Sequence, residues 1–263
     1  MEVARAEYLP DPALDRAAME FLQRSIAGDA AFEDDWSVGP AELRIDEPLT
    51  LPAPDDALPA PTGGPIVVGV DQAFTEETAV SAAIAVQDGH VVDWSVGRES
   101  LHLPYIPGLL AFREAGAIVE ALEGLSVAPT VLILDGSGRL HFRQAGIATH
   151  VGVLFDVPAI GVAKSLLCGR PARSLDEPLP EGTRVPILAD ETVDADPRTV
   201  IGHAYQSRQF SRPDRRHVNP LFVSPGHRVS AETTVDVVAA LSAGYKLPEP
   251  TRLADRAVDV CKD

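Results

Sequence analysis

Residues 131–141 read VLILDGSGRLH. Four apolar residues, Val131 to Leu134, stop abruptly at Asp135, and Gly136 and Gly138 follow. A short unbroken apolar run bounded by turn residues reads as a buried strand. Open α/β sheets gather their ligands at the carboxyl ends of strands, where this carboxylate falls. The two glycines carry no side chain and so leave room for a base or a backbone to approach. Alone, the stretch is better read as an ordinary strand that ends in an Asp-Gly turn. It gains weight from a second run of the same form, residues 65–71 (PIVVGVD), which also ends in a carboxylate, Asp71.

Between these two runs lie TAVSAAIAVQ (78–87) and HVVDWSVGR (90–98), joined by Asp88-Gly89. That dipeptide is a two-residue hairpin signal, so the first three strands should form an antiparallel meander. Downstream, the spacing predicts a helix from about Gly108 to Glu123, the 131–135 strand, a helical stretch near 143–155 and a strand over 159–163 that ends at Lys164. Further strands are expected at 185–189, 199–205 and 220–223. A last helix should run from the N-cap Ser230 to Ala243, stopped by Gly244. The fold class is therefore α/β: a three-strand meander followed by parallel strands in a mixed sheet, with helices on its faces. In that layout the strands ending in Asp71 and Asp135 lie side by side. Upstream, residues 13–27 carry Leu14, Ala17, Ala18, Phe21, Leu22 and Ile26 at amphipathic-helix spacing. Residues 30–64 are acidic and rich in Pro and Ala, which suggests an extended wrapping segment. This divides the chain into an N-terminal helix and extension over 1–64 and a main domain over 65–263.

Composition narrows the setting. With 22 Lys and Arg against 39 Asp and Glu, the net charge is -17, which argues against a generic nucleic-acid binder. Lysine occurs only at 164, 246 and 262. An acidic, lysine-poor surface suits a protein that stays soluble in high salt. Two cysteines, Cys168 and Cys261, are too few for a disulfide framework. No apolar run approaches the roughly 20 residues of a membrane span, and the first residues do not read as a secretory signal. The cytoplasm is the expected location, with no membrane partner.

Glu114 falls on the apolar stripe of the helix that begins at Gly108, four residues after Leu110 and four before Ile118. A carboxylate facing a core is costly unless it is paired or bound to a metal. Asp71, Glu114 and Asp135 can therefore form one oxygen-rich cluster suited to Mg²⁺ or Mn²⁺; a structural salt bridge for Glu114 is the plainer reading. No zinc-type Cys/His spacing is present. Lys164, at a strand end, can hold a phosphate or lie idle on the surface. His227, just before the Ser230 cap, can serve an anion at a helix N-terminus or simply bond within its turn. Pro104-Tyr105-Ile106-Pro107 is a stiff loop of the kind that can wedge between bases, or it is a packed connector.

Taken together, VGVDQAF (68–74), PYIPGLLAFRE (104–114), LDGSGRLH (134–141), AGIATHVGVLFDVPAIGVAKSLLCG (145–169), NPLFVSPGHRVS (219–230) and GYKLPEPTRLAD (244–255) resemble the endonuclease V family of deoxyinosine-specific DNA repair nucleases. The resemblance spans about residues 65–256. It implies an RNase H-like fold and metal-dependent hydrolysis of the second phosphodiester 3′ to inosine, leaving 3′-hydroxyl and 5′-phosphate ends. It implies that Asp71 and Asp135 are the main Mg²⁺ ligands, with Mn²⁺ as a substitute, that Glu114 completes the set, and that Lys164 and His227 assist catalysis. It makes Pro104, Tyr105, Ile106 and Pro107 a strand-separating wedge. Gly108, Leu110, Gly136, Gly138, His141 and Leu167 become the pocket for the flipped base. Ser137 stands where the family usually has histidine, and Phe142 where it has proline; both fall at the pocket rather than on the carboxylates. The expected partner of this presumed monomer is DNA containing deoxyinosine, single-stranded DNA included. Inosine-bearing RNA, lesion binding without cutting, and structure-directed cutting of flaps or mismatches stay open as alternatives.

Overall fold

The computed structural model describes residues 1–53, 55–101, 106–209 and 218–262. The strands are β1 (Val67–Phe74), β2 (Thr78–Gln87), β3 (His90–Ser100), β4 (Val131–Asp135), β5 (Ala159–Ala163), β6 (Arg170–Pro171), β7 (Arg184–Leu188), β8 (Val200–Tyr205) and β9 (Leu221–His227). The α-helices are α1 (Arg16–Asp29), α2 (Leu110–Glu123), α3 (Ile147–Phe155), α4 (Ala231–Ala240) and α5 (Glu249–Cys261). Among the described residues the strands form one mixed sheet in the order β3-β2-β1-β4-β5-β9-β8-β7-β6.

The meander forms as its hairpin signal predicts, with β2 antiparallel to both β1 and β3. Strand β4 then runs parallel to β1, with Val67 opposite Val131 and Val70 opposite Leu134, and β5 runs parallel to β4. Parallelism ends there. β9 returns antiparallel to β5, and β8, β7 and β6 continue antiparallel.

Strand alternation assigns the two faces. Val68, Val70, Leu132 and Leu134 enter one core with Ile26, Ile118 and Leu154 from α1, α2 and α3. Val67, Ile133, Ile160 and Val162 enter the other with Val235, Val238, Leu253 and Val258 from α4 and α5. Burial on both faces explains the unbroken apolar runs of β1 and β4. On the second face α5 lies unusually close to β1, because a Cβ on Gly69 would sit 2.1 Å from the Pro250 carbonyl carbon.

The first 64 residues pack against the rest of the chain. Tyr8 and Ile26 belong to the first core, and Leu43 and Ile45 to the second. The 30–64 segment is largely irregular but tied down. The Asp34 carboxylate accepts from the Ser230 amide and the Ser230 and Thr233 hydroxyls at the start of α4. The Leu49 amide donates to buried Glu249. The extension covers apolar area that α4 and α5 would otherwise expose. Cys168 and Cys261 are free thiols. Among the described residues no helix is long and apolar enough to cross a membrane.

Candidate active site

Asp71, in the middle of β1, and Asp135, the last residue of β4, each follow the last residue paired between the two strands, Val70 and Leu134, and share one face of the sheet. Lys164 follows the end of β5, two residues beyond Val162, the partner of Asp135. Its Nζ lies 2.7 Å from Asp135 Oδ2 and 3.9 Å from Asp255 Oδ1. Three neighbouring parallel strands thus deliver two carboxylates and an ammonium to one end of the sheet. Asp255 comes from α5. The close contact of Gly69 with Pro250 and Thr251 seats that helix on β1, and Asp255, one turn later, shares a side-chain hydrogen bond with Asp71.

The electrostatics of this cluster are unbalanced. Burial first, then the charge of Asp135, push the Asp71 carboxyl up to about 9. Burial alone would depress the Lys164 ammonium, yet the charge and hydrogen bond of Asp135 outweigh it and hold its pKa above the ordinary lysine value. Among the described residues no three His, Cys, Asp or Glu side chains gather into a complete metal cage. Mg²⁺ does not need one: it is usually held by one or two carboxylates, with water and substrate phosphate completing its shell. An all-oxygen donor set whose carboxylates repel one another fits such an ion.

A pocket adjoins the cluster and shares Asp135 with it. It encloses about 500 Å³ of empty space, open mouth included, and is lined by Pro107, Gly108, Leu110, Glu114, Gly136, His141 and Leu167 among others. Among the described residues no side chain caps α2, and Leu110 and Ala111, whose first-turn amides have no acceptor within the helix, stand at the pocket wall. Gly136 has φ +147°, and a Cβ there would meet Ile147 at 2.5 Å. The Arg143 amide donates to His141 Nδ1, which leaves the ring proton on Nε2, 3.1 Å from the Gly108 carbonyl. Burial, then the charge of Arg143, lower the His141 pKa to about 4, so the ring is neutral.

Several expected residues sit elsewhere. Glu114 reaches the pocket from α2, on the face opposite α5, and pairs with Arg113 Nη1 at 3.4 Å; burial pushes its carboxyl up to about 7. It shares the pocket wall with Asp135 but does not join Asp71. His227, expected to assist at the phosphate, lies apart from the carboxylate cluster. It pairs with Ala159 at the start of β5, the end remote from Lys164, and is buried against Asp156 (3.2 Å) and the Ala31 amide. Gly138 is a packing glycine, its amide on Ser224 Oγ and its Cα against the Pro225 carbonyl. Ile106 packs with Met19, Leu109 and Phe112. Pro104 and Tyr105 lie outside the described residues. Asp255 was not foreseen as a site residue. Its signal was the one that singled out Glu114, a carboxylate bordering an apolar helical stripe, here Leu253, Ala254, Ala257 and Val258.

An RNase H-like sheet with carboxylates at the tips of its central strands defines the class: a nuclease, hence a hydrolase. Residues 56–256 match the Endonuclease V family model. An Endonuclease V of Halobacterium salinarum is 56% identical over 97% of this chain and 98% of its own. The crystal structure of the catalytic domain of human Endonuclease V superposes with a TM-score of 0.71 at 30% identity, covering 94% of this chain and 95% of that one. A Ciona intestinalis Endonuclease V, in complex with a 24mer DNA containing an inosine followed by a ribo-adenosine, shares the fold with a TM-score of 0.64 at 23% identity, covering 94% and 97%. The chain belongs to the endonuclease V family.

Proposed function

We propose that this protein is a metal-dependent repair endonuclease that recognises deoxyinosine in DNA and hydrolyses the second phosphodiester on its 3′ side, leaving 3′-hydroxyl and 5′-phosphate ends. The observation that carries this reading is Asp135, which belongs both to the carboxylate cluster and to the wall of the pocket. A base seated in the pocket holds its own strand against the cluster.

Asp71, Asp135 and Asp255 would hold Mg²⁺, or Mn²⁺ in its place. Such an ion, when bound, stabilises phosphoryl oxygens and makes hydroxide available near neutral pH. Lys164 orients Asp135 through its 2.7 Å contact and supplies positive charge for a phosphate. In the pocket, hypoxanthine offers a carbonyl where adenine offers an amino group. The free amides at the uncapped end of α2 donate to the carbonyl and oppose the amino group, donor against donor. The base must leave its stack to reach them, with the Pro104–Pro107 loop as the wedge. Free thiols fit a reducing cytoplasm. The inosine-bearing DNA held by the Ciona protein supports this substrate class.

The test is cleavage of a labelled DNA strand with one inosine, in Mg²⁺ and in EDTA, by wild type and by Asp255→Asn. Wild type should cut once, only with metal, and Asp255→Asn should lose at least about tenfold in kcat, the loss of about 1.4 kcal/mol of transition-state stabilisation. Full activity of Asp255→Asn would remove it from the metal site.

A further inference from the structure

We propose that Gln23, on helix α1, is a positioning residue for lesion recognition: it fixes the Gly108 peptide from which α2 and its base-reading amides start. This rests on the base-pocket reading above. No sequence motif pointed to Gln23, and it precedes the span matched by the family model.

Gln23 is 1% exposed in the middle of an otherwise amphipathic surface helix. It lies in the pocket wall beside Gly108, Ala145 and Gly146. Its Nε2 donates to the Gly108 carbonyl at 2.9 Å, 85 residues away, and its Oε1 accepts from Arg143 Nε at 2.7 Å. The same carbonyl receives His141 Nε2 at 3.1 Å and Arg143 Nη2 at 3.2 Å. A carbonyl has two lone pairs, so three donors saturate it and leave its plane no freedom. Gly108 needs that restraint. Its φ of +81° is one of several backbone states open to glycine, and it stands immediately before Leu109, the cap residue of α2. A rotation at Gly108 would swing the amides of Leu110 and Ala111 away from the base.

Glutamine is required because one side chain must donate to Gly108 and accept from Arg143 at once. Glutamate at this position would keep the Arg143 contact and oppose the Gly108 carbonyl with a second acceptor. Methionine would keep the volume and make neither bond. These two substitutions separate positioning from simple attachment of α1.

The experiment measures kcat and KM on a single-inosine strand, cutting of the matched adenine strand, and Tm, for wild type, Gln23→Glu and Gln23→Met. Both variants should raise KM for the inosine strand about tenfold and cut the inosine-to-adenine selectivity by a similar factor, with a smaller change in kcat. Gln23→Glu should do so with Tm within a few degrees of wild type, because the Arg143 tie remains. Wild-type KM and selectivity in folded Gln23→Glu would overturn the proposal. So would variants whose only defect is a lower Tm. Wild type that cuts inosine and adenine strands alike would instead refute the base-pocket reading, before any variant is made.

Discussion

Asp71 is a buried carboxylate beside a second one, Asp135. Its pKa in the fold, about 9, lies far above the ordinary 3.8. Folding therefore binds a proton at this site. The contribution to stability is complete below about pH 4 and is lost progressively as pH rises towards 9. A divalent cation removes the repulsion that causes the loss. In metal-free protein at fixed KCl, Tm should fall as pH rises, and Asp71→Asn should flatten part of that slope. Millimolar Mg²⁺ should raise the wild-type Tm more at about pH 8 than at about pH 5. An equal Mg²⁺ shift in Asp71→Asn would contradict the assignment of Asp71 as a ligand. Asp71 and Asp135 were legible in the sequence because each ends an apolar run, a pattern of strand and neighbour alone. The position of His227 was not legible for a physical reason. The strand was expected to stop at residue 223, before Pro225 and Gly226, yet β9 runs four residues further to His227, its register shifting at Ala159/Ile160. Antiparallel pairing with β5 then sets the imidazole beside Ala159, away from Lys164.

At the level of elements, α5 is the piece that completes the cluster. Its docking depends on Gly69, where a Cβ would meet Pro250 backbone, and on the buried pair of Arg252 Nη2 with Glu249 Oε2 at 2.6 Å. Arg252 Nη2 also donates to the Leu49 carbonyl at 2.6 Å, strapping the extension over the helix. Gly69→Ala should cost about 3 kcal/mol, since backbone cannot yield as a flexible side chain would, and should reduce kcat by displacing Asp255. Arg252→Met should cost about 3–5 kcal/mol by leaving Glu249 buried and unpaired. Chemical denaturation checks both, and a loss below about 1 kcal/mol in either would contradict this account of the docking. The helix was absent from the sequence reading because LPEP offers proline and turn signals where the first turn begins. Proline is tolerated there, since the first amides of a helix have no partner in any case. Elements with strong period or hairpin chemistry, such as the Asp88-Gly89 meander, came through intact.

The whole molecule carries -17 charges and yet is assigned a polyanionic substrate. Its positive groups cannot dominate the field at low salt. Multimolar KCl shrinks the screening length from about 10 Å at 0.1 M to about 3 Å at 1 M, which relieves self-repulsion. Tm should therefore rise steadily with KCl, while phosphate contacts weaken; a Tm that falls with KCl would contradict the reading of the surface. Which way activity moves depends on the balance of the two. The contacts that tie the N-terminal 64 residues to the rest, such as Gln23 with Gly108 or Asp34 with Ser230, were not legible because they leave no periodic trace in sequence. In the proposed function a base in the pocket aims its strand at the Asp71–Asp135–Asp255 cluster. The direct measurement is the position of cutting on an end-labelled DNA strand with one inosine, in high KCl with Mg²⁺ and with EDTA. The account predicts a single metal-dependent cut at the second phosphodiester 3′ of the inosine; cutting that ignores the inosine, or that persists in EDTA, would contradict it.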